Sequence, residues 1–470
     1  MQIHVVQRGE SVWAISQRYG VTINHIITAN HLEEPNKLVS GLALVIPTAH
    51  RMHTVRTGES LWKIAHKYGT TVQAILHINH ITDPSRFHPG MVLVVPARTY
   101  TVQPGEKLWQ IAQRYGTTVQ EIMRANGIQN PNMISPGSVL IIPFKKPVID
   151  VNAYTNNEGE AGAREVRETG RYLTYWMPFA YRMREDGELS SINDTPIIQA
   201  CAAERVMPVL CITNFTAKDP GSRLAHTILS SSAIQDQLLT NIIKIMKEKG
   251  YVGLNVDFEN VYQSDRELYN QFLQRTVSRL HPEGYFVSTA LAPKTSGEQK
   301  GLLVEAHDYP AHGRIVDFVV LMTYEWGYRL GPPQAISPLN QIKRVLDYAV
   351  TVIPRNKIFF GFQVYARDWL LPHVKGQEAE TFSQQEAVRR AIQYGVPIHY
   401  DPTSQAPFFR YTDAQGRQHE VWFEDARSAQ SKFDTVKDYG LRGISYWVLG
   451  YPFPQNRLLL EDNFMIRKIR

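Results

Sequence analysis

The sequence predicts an α/β protein: a (β/α)₈ TIM-type barrel with a small β-rich insertion, preceded by three small βααβ modules. Three observations predict it. One segment recurs three times within the first 143 residues. The roughly 320 residues that follow alternate apolar strand-like runs with amphipathic helical stretches, the pattern of a parallel sheet wrapped by helices. Polar residues able to do chemistry fall at the carboxyl ends of those runs, where a barrel of this type gathers its active site.

Composition sets the outer limits. A chain of 470 residues is too long for one ordinary domain and predicts about two to four. Its 43 % hydrophobic and 20 % charged residues suit a folded globular protein. No apolar run approaches the roughly 20 residues of a membrane helix, so no membrane insertion is expected. Two cysteines, Cys201 and Cys211, make neither a disulfide framework nor an all-cysteine zinc site, and read as buried small apolar residues. The first residues enter a repeat directly, without a basic stretch and apolar core, so no secretory signal is expected. Residues 1–147 hold 14 Lys+Arg against 7 Asp+Glu, a net +7, and the remainder nets −1. That bias suits a solvated surface or steering toward an anionic polymer. It is no nucleic-acid footprint, because no basic cluster with interleaved aromatics occurs.

The repeats begin at His4-Val5-Val6-Gln7-Arg8-Gly9-Glu10-Ser11-Val12-Trp13, His53-Thr54-Val55-Arg56-Thr57-Gly58-Glu59-Ser60-Leu61-Trp62 and Tyr100-Thr101-Val102-Gln103-Pro104-Gly105-Glu106-Lys107-Leu108-Trp109. The Trp positions lie 49 and 47 residues apart. Each copy continues with a Tyr-Gly pair, an Asn (Asn30, Asn79, Asn126) and an apolar strand ending in Pro (Pro47, Pro96, Pro143). Gly-Glu-Ser supplies a turn and a helix start. Trp13, Ile15 and Tyr19 follow near-helical spacing and are expected to face a small core, as are Trp62 and Trp109. Tyr-Gly ends the first helix, and Thr opens a second with a hydroxyl cap. This signature resembles the LysM domain over residues 3–47, 52–96 and 99–143. The resemblance implies binding of N-acetylglucosamine-containing glycans in a groove between two loops. In this chain those loops are Gly9-Glu10-Ser11 with Pro35-Asn36-Lys37, Gly58-Glu59-Ser60 with Pro84-Ser85-Arg86, and Gly105-Glu106-Lys107 with Pro131-Asn132-Met133. Phe144-Lys145-Lys146-Pro147 reads as a short hinge.

In residues 148–470 strands are expected near Tyr172–Trp176, Glu188–Ile192, Met207–Asn214, Val252–Phe258, Phe286–Ala292, Phe318–Tyr324, Ile358–Val364 and Gly443–Val448. The long interval before the last one holds Tyr400-Asp401-Pro402, Phe408–Tyr411 and Val421-Trp422-Phe423 and reads as the insertion. The fourth strand carries the chemistry. Asn255, Asp257 and Glu259 alternate with Leu254, Val256 and Phe258, so the three polar residues share one face. Two carboxylates this close do not both ionise easily, and one is pushed toward the protonated form. A raised-pKa acid beside an ionised carboxylate is what protonation of a glycosidic oxygen requires.

The run resembles the signature of glycoside hydrolase family 18, Asp-x-x-Asp-x-Asp-x-Glu, with Val252 and Asn255 standing where that family carries earlier Asp residues. The resemblance makes Glu259 the acid/base, Asp257 its assistant and Tyr324, in Leu321-Met322-Thr323-Tyr324, the holder of the substrate's N-acetyl group. Family members usually follow that Tyr with Asp, and here Glu325 stands there. Trp447 is expected to floor the sugar subsite. Asn255, Met322, Tyr175 at an early strand end, and Tyr365 and Asp368 in Tyr365-Ala366-Arg367-Asp368-Trp369 are expected to line the cleft. That last segment resembles the spore cortex-lytic branch of the family. The implied activity is an N-acetylglucosaminidase of peptidoglycan, with a retaining mechanism assisted by the substrate and no metal or cofactor. Two alternatives stay open: a chitinase of the same mechanism, and a non-catalytic glycan-binding coat protein. A spore-associated location follows from the resemblance.

Overall fold

The computed structural model describes residues 1–48, 51–84, 87–144, 146–216 and 219–468. Ser85 and Arg86 of the second expected glycan loop, and Lys145 of the expected hinge, lie outside the described residues. The chain forms two compact units, one of Met1–Pro147 with Asp462–Phe464, the other built on Val148–Glu461.

In the first unit each repeat is strand, helix, helix, strand. Gln2–Val5 pairs antiparallel with Ala43–Ile46, Arg51–Thr54 with Val92–Val95, and Arg98–Thr101 with Val139–Ile142. The first helices, Val12–Tyr19, Leu61–Tyr68 and Leu108–Tyr115, start where a side chain answers the free amides of the first turn. Ser11 and Ser60 accept from the Ala14 and Lys63 amides, both at 3.2 Å. In the third repeat Gln110 accepts from the Lys107 amide instead, at 2.8 Å. Each helix stops at a left-handed glycine, Gly20, Gly69 or Gly116.

The buried stripe of these helices is Val12/Ile15, Leu61/Ile64/Ala65 and Leu108/Ile111/Ala112. The expected core role of the tryptophans is overturned: Trp13, Trp62 and Trp109 are 63 %, 65 % and 57 % exposed. The stripe begins one residue earlier, at the apolar residue after the cap. That turns the next position about 100° away from the core, into solvent.

A polar clasp closes each repeat. Asn30 Nδ2 donates to the carbonyls of Ile26 (2.9 Å) and Val45 (2.8 Å), and its Oδ1 accepts from the Val45 amide (2.7 Å). Asn79 makes the same three bonds to Ile75 and Val94, and Asn126 to Ile122 and Ile141. One amide side chain thus fastens the end of the second helix to the closing strand. The residue after each clasp is left-handed: His31, His80 and Gly127, with φ of 47°, 52° and 65°.

The second unit is an eight-stranded parallel barrel. Its strands are β1 Val148–Thr155, β2 Tyr175–Pro178, β3 over 207–213 in two pieces, β4 Gly253–Asp257, β5 Phe286–Leu291, β6 Phe318–Leu321, β7 Ile358–Gln363 and β8 Gly443–Trp447. Neighbours pair in that order and β8 returns to β1. The early strands differ from expectation. Glu188–Ile192 is no barrel strand and contributes only a Met183–Leu189 bridge, while Val148–Thr155, which was not among the expected strands, is β1. Its run of Asp, Asn and Tyr hides the strand, because those polar side chains are used inside the barrel. The insertion between β7 and β8 is a five-stranded antiparallel sheet.

Aromatic rings fill the amino-terminal end of the barrel. Tyr175 stacks on Phe318 (5.7 Å between centroids) and meets Phe286 and Phe359 edge-on. Polar pairs occupy the next layer: Tyr154 donates to Asn255 (3.0 Å), Asn255 to Ser288 (3.0 Å) and Asn152 to Ser445 (2.7 Å). With that end plugged, the carboxyl ends of the strands are where residues meet a ligand.

Candidate active site

The fourth strand puts its alternation to use. Leu254, Val256 and Phe258 point outward and are fully buried, Phe258 lying on the rings of Tyr269 and Phe272 in the helix Arg266–Leu280. Asn255, Asp257 and Glu259 are thereby turned to the inside. Asn255 is fully buried and bonded to Tyr154 and Ser288, so it belongs to the polar layer beneath the carboxylates.

Above it sits Asp257, 3 % exposed, whose Oδ1 meets no hydrogen-bond donor among the described residues. Burial, then the neighbouring charge of Glu259, pushes its carboxyl well above the usual carboxylate range. Glu259 follows on the loop and is pushed up to about 7, by burial first and by Glu325 second. The pair therefore holds a proton near neutrality, and Glu259, the more accessible of the two, presents it.

Asn214, at the end of β3, brackets the Glu259 backbone. Its Oδ1 accepts from the Glu259 amide (2.9 Å) and its Nδ2 donates to the Glu259 carbonyl (2.7 Å). His307 holds the segment from behind. Its Nδ1 accepts from the Ala292 amide (2.8 Å), which leaves Nε2 to donate to the Phe258 carbonyl (2.9 Å). Burial lowers this imidazole to about 4, so it stays neutral and the tautomer holds.

Tyr324, two residues beyond Met322 past β6, is 8 % exposed, and burial followed by the charges of Asp257, Glu259 and Glu325 keeps its hydroxyl protonated. It is thus a committed hydrogen-bond donor beside the two acids. The ring fits because β7 has Gly361 beneath it: a Cβ there would lie 2.9 Å from Tyr324 Cε1 and 2.2 Å from the Leu321 carbonyl oxygen. Trp447 is part-exposed at the end of β8, edge-on to Tyr154 (5.5 Å) and Phe179 (4.7 Å).

A fourth group completes the site. Glu325, in a left-handed conformation (φ 70°), accepts from Arg367 Nη1 and Nη2, both at 2.8 Å, and from the Tyr365 hydroxyl. Tyr365, Arg367 and Trp369 share one face of the insertion strand Tyr365–Leu371, and all three bond to the segment after β6. Arg367 was missed in the sequence, where a lone Arg between two candidates reads as surface charge. Its signal was the two-residue spacing from Tyr365.

Two expected cleft residues lie elsewhere. Tyr175 belongs to the aromatic plug at the opposite end of the barrel, because it opens β2 and does not end it. Asp368 points to the other face of its strand, where Tyr411 (2.6 Å), Arg390 (2.7 Å) and His419 (2.7 Å) hold its carboxylate inside the insertion.

In the repeats, Gly9, Gly58 and Gly105 make the left-handed turn (φ 81°, 81° and 82°) that leads into the Ser11, Ser60 and Lys107 caps. Glu10, Glu59 and Glu106 brace the turn itself. Each accepts from the turn's own backbone amide, and from His4, His53 or Tyr100. Asn36 and Asn132 are exposed on the second loops.

Comparison with known proteins gives consistent matches. The family description "Glycosyl hydrolases family 18" matches residues 222–451, and "LysM domain" matches 4–47, 53–96 and 100–143. The cortical fragment-lytic enzyme of Bacillus subtilis (strain 168) is 45 % identical, covering 100 % of this chain and 99 % of that protein. The cortical fragment-lytic enzyme of Bacillus cereus is 46 % identical over 66 % of this chain and 72 % of its own length. The crystal structure of the Bacillus megaterium QM B1551 spore cortex-lytic enzyme SleL matches with a TM-score of 0.79 and 36 % identity, covering 100 % of this chain and 99 % of that one. A chitinase from Chromobacterium violaceum ATCC 12472, 23 % identical with a TM-score of 0.61 over 67 % of this chain and 98 % of its own, shares the fold.

Proposed function

The chain belongs to glycosyl hydrolases family 18, with three LysM domains ahead of the barrel, and on that premise we propose that it cuts spore-cortex peptidoglycan as an N-acetylglucosaminidase. It is a glycoside hydrolase acting on peptidoglycan, with a spore-associated role.

The observation that carries the proposed chemistry is the buried Asp257–Glu259 pair, proton-bearing near neutrality, with Tyr324 as a donor beside it. Family 18 is an exception to the two-carboxylate scheme of most glycosidases. The carbonyl oxygen of the sugar's 2-acetamido group attacks the anomeric carbon while Glu259 gives its proton to the departing glycosidic oxygen. The C–O bond breaks and an oxazolinium ring forms, with retention after the second step. Asp257 orients the acetamide and offsets the positive charge on the ring. Tyr324 donates to the acetamide oxygen. Glu259, now a carboxylate, takes a proton from water as the water opens the ring. Burial makes these electrostatic contacts stronger than they would be in water.

The sugar in this subsite must present an acetamido group to Asp257 and Tyr324. N-acetylglucosamine does so without the lactyl bulk that muramic acid carries at its 3-position. With Trp447, Tyr324 and Met322 around the subsite, the smaller sugar fits best, and the muramic residue or its lactam lies on the leaving side. Borohydride reduction of a cortex digest tests this. Glucosaminitol as the main reduced end is expected, the Glu259→Gln variant should release almost none, and muramitol as the main reduced end would overturn the reading.

A further inference from the structure

The first helix of each repeat carries an exposed indole that the repeat's own fold does not use. Trp13, Trp62 and Trp109 hold the same position and are all more than half exposed, whereas Trp176 and Trp369 of the barrel are fully buried. One exposed indole needs no explanation, but one held at the equivalent position of all three repeats, with a hydrogen-bonding neighbour one turn on, is a candidate contact face. The tryptophan stands two residues after the Ser or Lys that ends the turn, so this face lies next to the loop on which the glycan groove was expected.

One helical turn further on, on the same side of the helix, stands an exposed side chain able to hydrogen-bond: Gln17, His66 and Gln113. In the second repeat the imidazole lies flat on the indole, with ring centroids 5.1 Å apart and planes within 8°. In the first repeat a surface hollow opens beside the indole, lined by Trp13, Ser16, Gln17, Gly20, Thr22 and Asn24. An aromatic face with a polar group one turn away suits a pyranose. The ring's C–H face stacks on the indole while hydroxyl and acetamido groups reach the polar side chain. The same face presented three times suits a ligand that itself repeats, and the +7 charge of residues 1–147 suits a polymer bearing acidic peptide stems.

We propose that Trp13, Trp62 and Trp109, with Gln17, His66 and Gln113, form three sugar-stacking platforms that take a peptidoglycan glycan strand on the first-helix face of the repeats. This rests on the reading that the repeats bind glycan, and adds a surface to the two loops of each. The platforms act together, since tethered weak contacts on one polymer multiply.

The test uses the full chain in three variants: W13A/W62A/W109A, the same three positions changed to Phe, and the loop variant N36A/N132A. Binding isotherms on insoluble peptidoglycan are measured beside hydrolysis of soluble fragments. The triple Ala variant should bind about ten-fold more weakly or worse, the Phe variant should recover most of that loss, and soluble turnover should stay unchanged in both. Wild-type binding by the Ala variant beside a weakened loop variant overturns the platforms and leaves the LysM reading standing. Wild-type binding by both overturns the platforms and that reading together. Should the Ala variant melt at a lower temperature, the wild type and the Phe variant decide: both keep Trp447, so indole emission on titration with N-acetylglucosamine oligomers must shift more in the wild type, and equal shifts in the two overturn the proposal.

Discussion

A buried carboxyl with a second acid beside it stays protonated past the ordinary carboxylate range, and the chemistry proposed for Glu259 depends on that. Its proton is present below about pH 7 and lost above it, so kcat/KM should fall on the alkaline side with a limb set by this residue. Glu325 is the second cause of the upward shift, after burial. Replacing it with Gln removes a negative charge and should move the limb to lower pH. Arg367→Met leaves that charge uncompensated and should move the limb to higher pH. A pH–rate series on the two variants checks both signs, and a limb fixed in both would detach Glu259 from Glu325. The acids were legible in the sequence because strand alternation puts every second residue on one face, a rule local to five residues. Arg367 and Asn214 were not, because each reaches the site from another strand and only the closed barrel brings them in. Asp368 shows the same rule misapplied. It was read together with Tyr365, yet the odd spacing between them puts the two on opposite faces.

Among elements, β7 and the first helices of the repeats show how a single residue sets a surface. Gly361 leaves room for Tyr324 and for the Leu321 carbonyl, so Gly361→Ala should displace the tyrosine. The expected outcome is a loss of about 1–3 kcal/mol by denaturant titration, with a turnover loss larger than that of a remote variant equally destabilised. Unchanged turnover would show that Tyr324 has freedom the packing does not suggest. The repeats' strand–helix–helix–strand order was legible because caps, Tyr-Gly stops and closing Pro residues are written locally. The facing of the tryptophans was not. In an eight-residue helix the apolar stripe is short, and starting it one residue late sends the largest side chain into the core on paper and into water in fact. β1 escaped notice for the opposite reason: its polar residues look like a linker until the barrel encloses them.

At the level of the whole chain, the proposed binding and cutting fall in separate units. Residues 148–470 hold every group placed in the mechanism, so a chain beginning at Val148 should hydrolyse short soluble fragments at near the full-length rate. It should lose most of its sedimentation with insoluble cortex, because three tethered sites act through effective concentration. Undiminished sedimentation would assign the repeats another task. The division into a repetitive front and a barrel was legible from periodicity alone, whereas the barrel's closure through the two-piece β3 needed the pairing partners. The asparagine clasps also bear on durability. An asparagine decays when the backbone nitrogen of the next residue attacks its side-chain carbonyl carbon, and a following glycine offers the least obstruction. Asn126-Gly127 is such a pair, but all three bonds of the Asn126 amide hold it away from that approach. After Asn30 and Asn79 the left-handed position is filled by His31 and His80, which cost backbone ease but carry the side chain that a glycine lacks. Chemical shelf life thereby becomes a property of the fold.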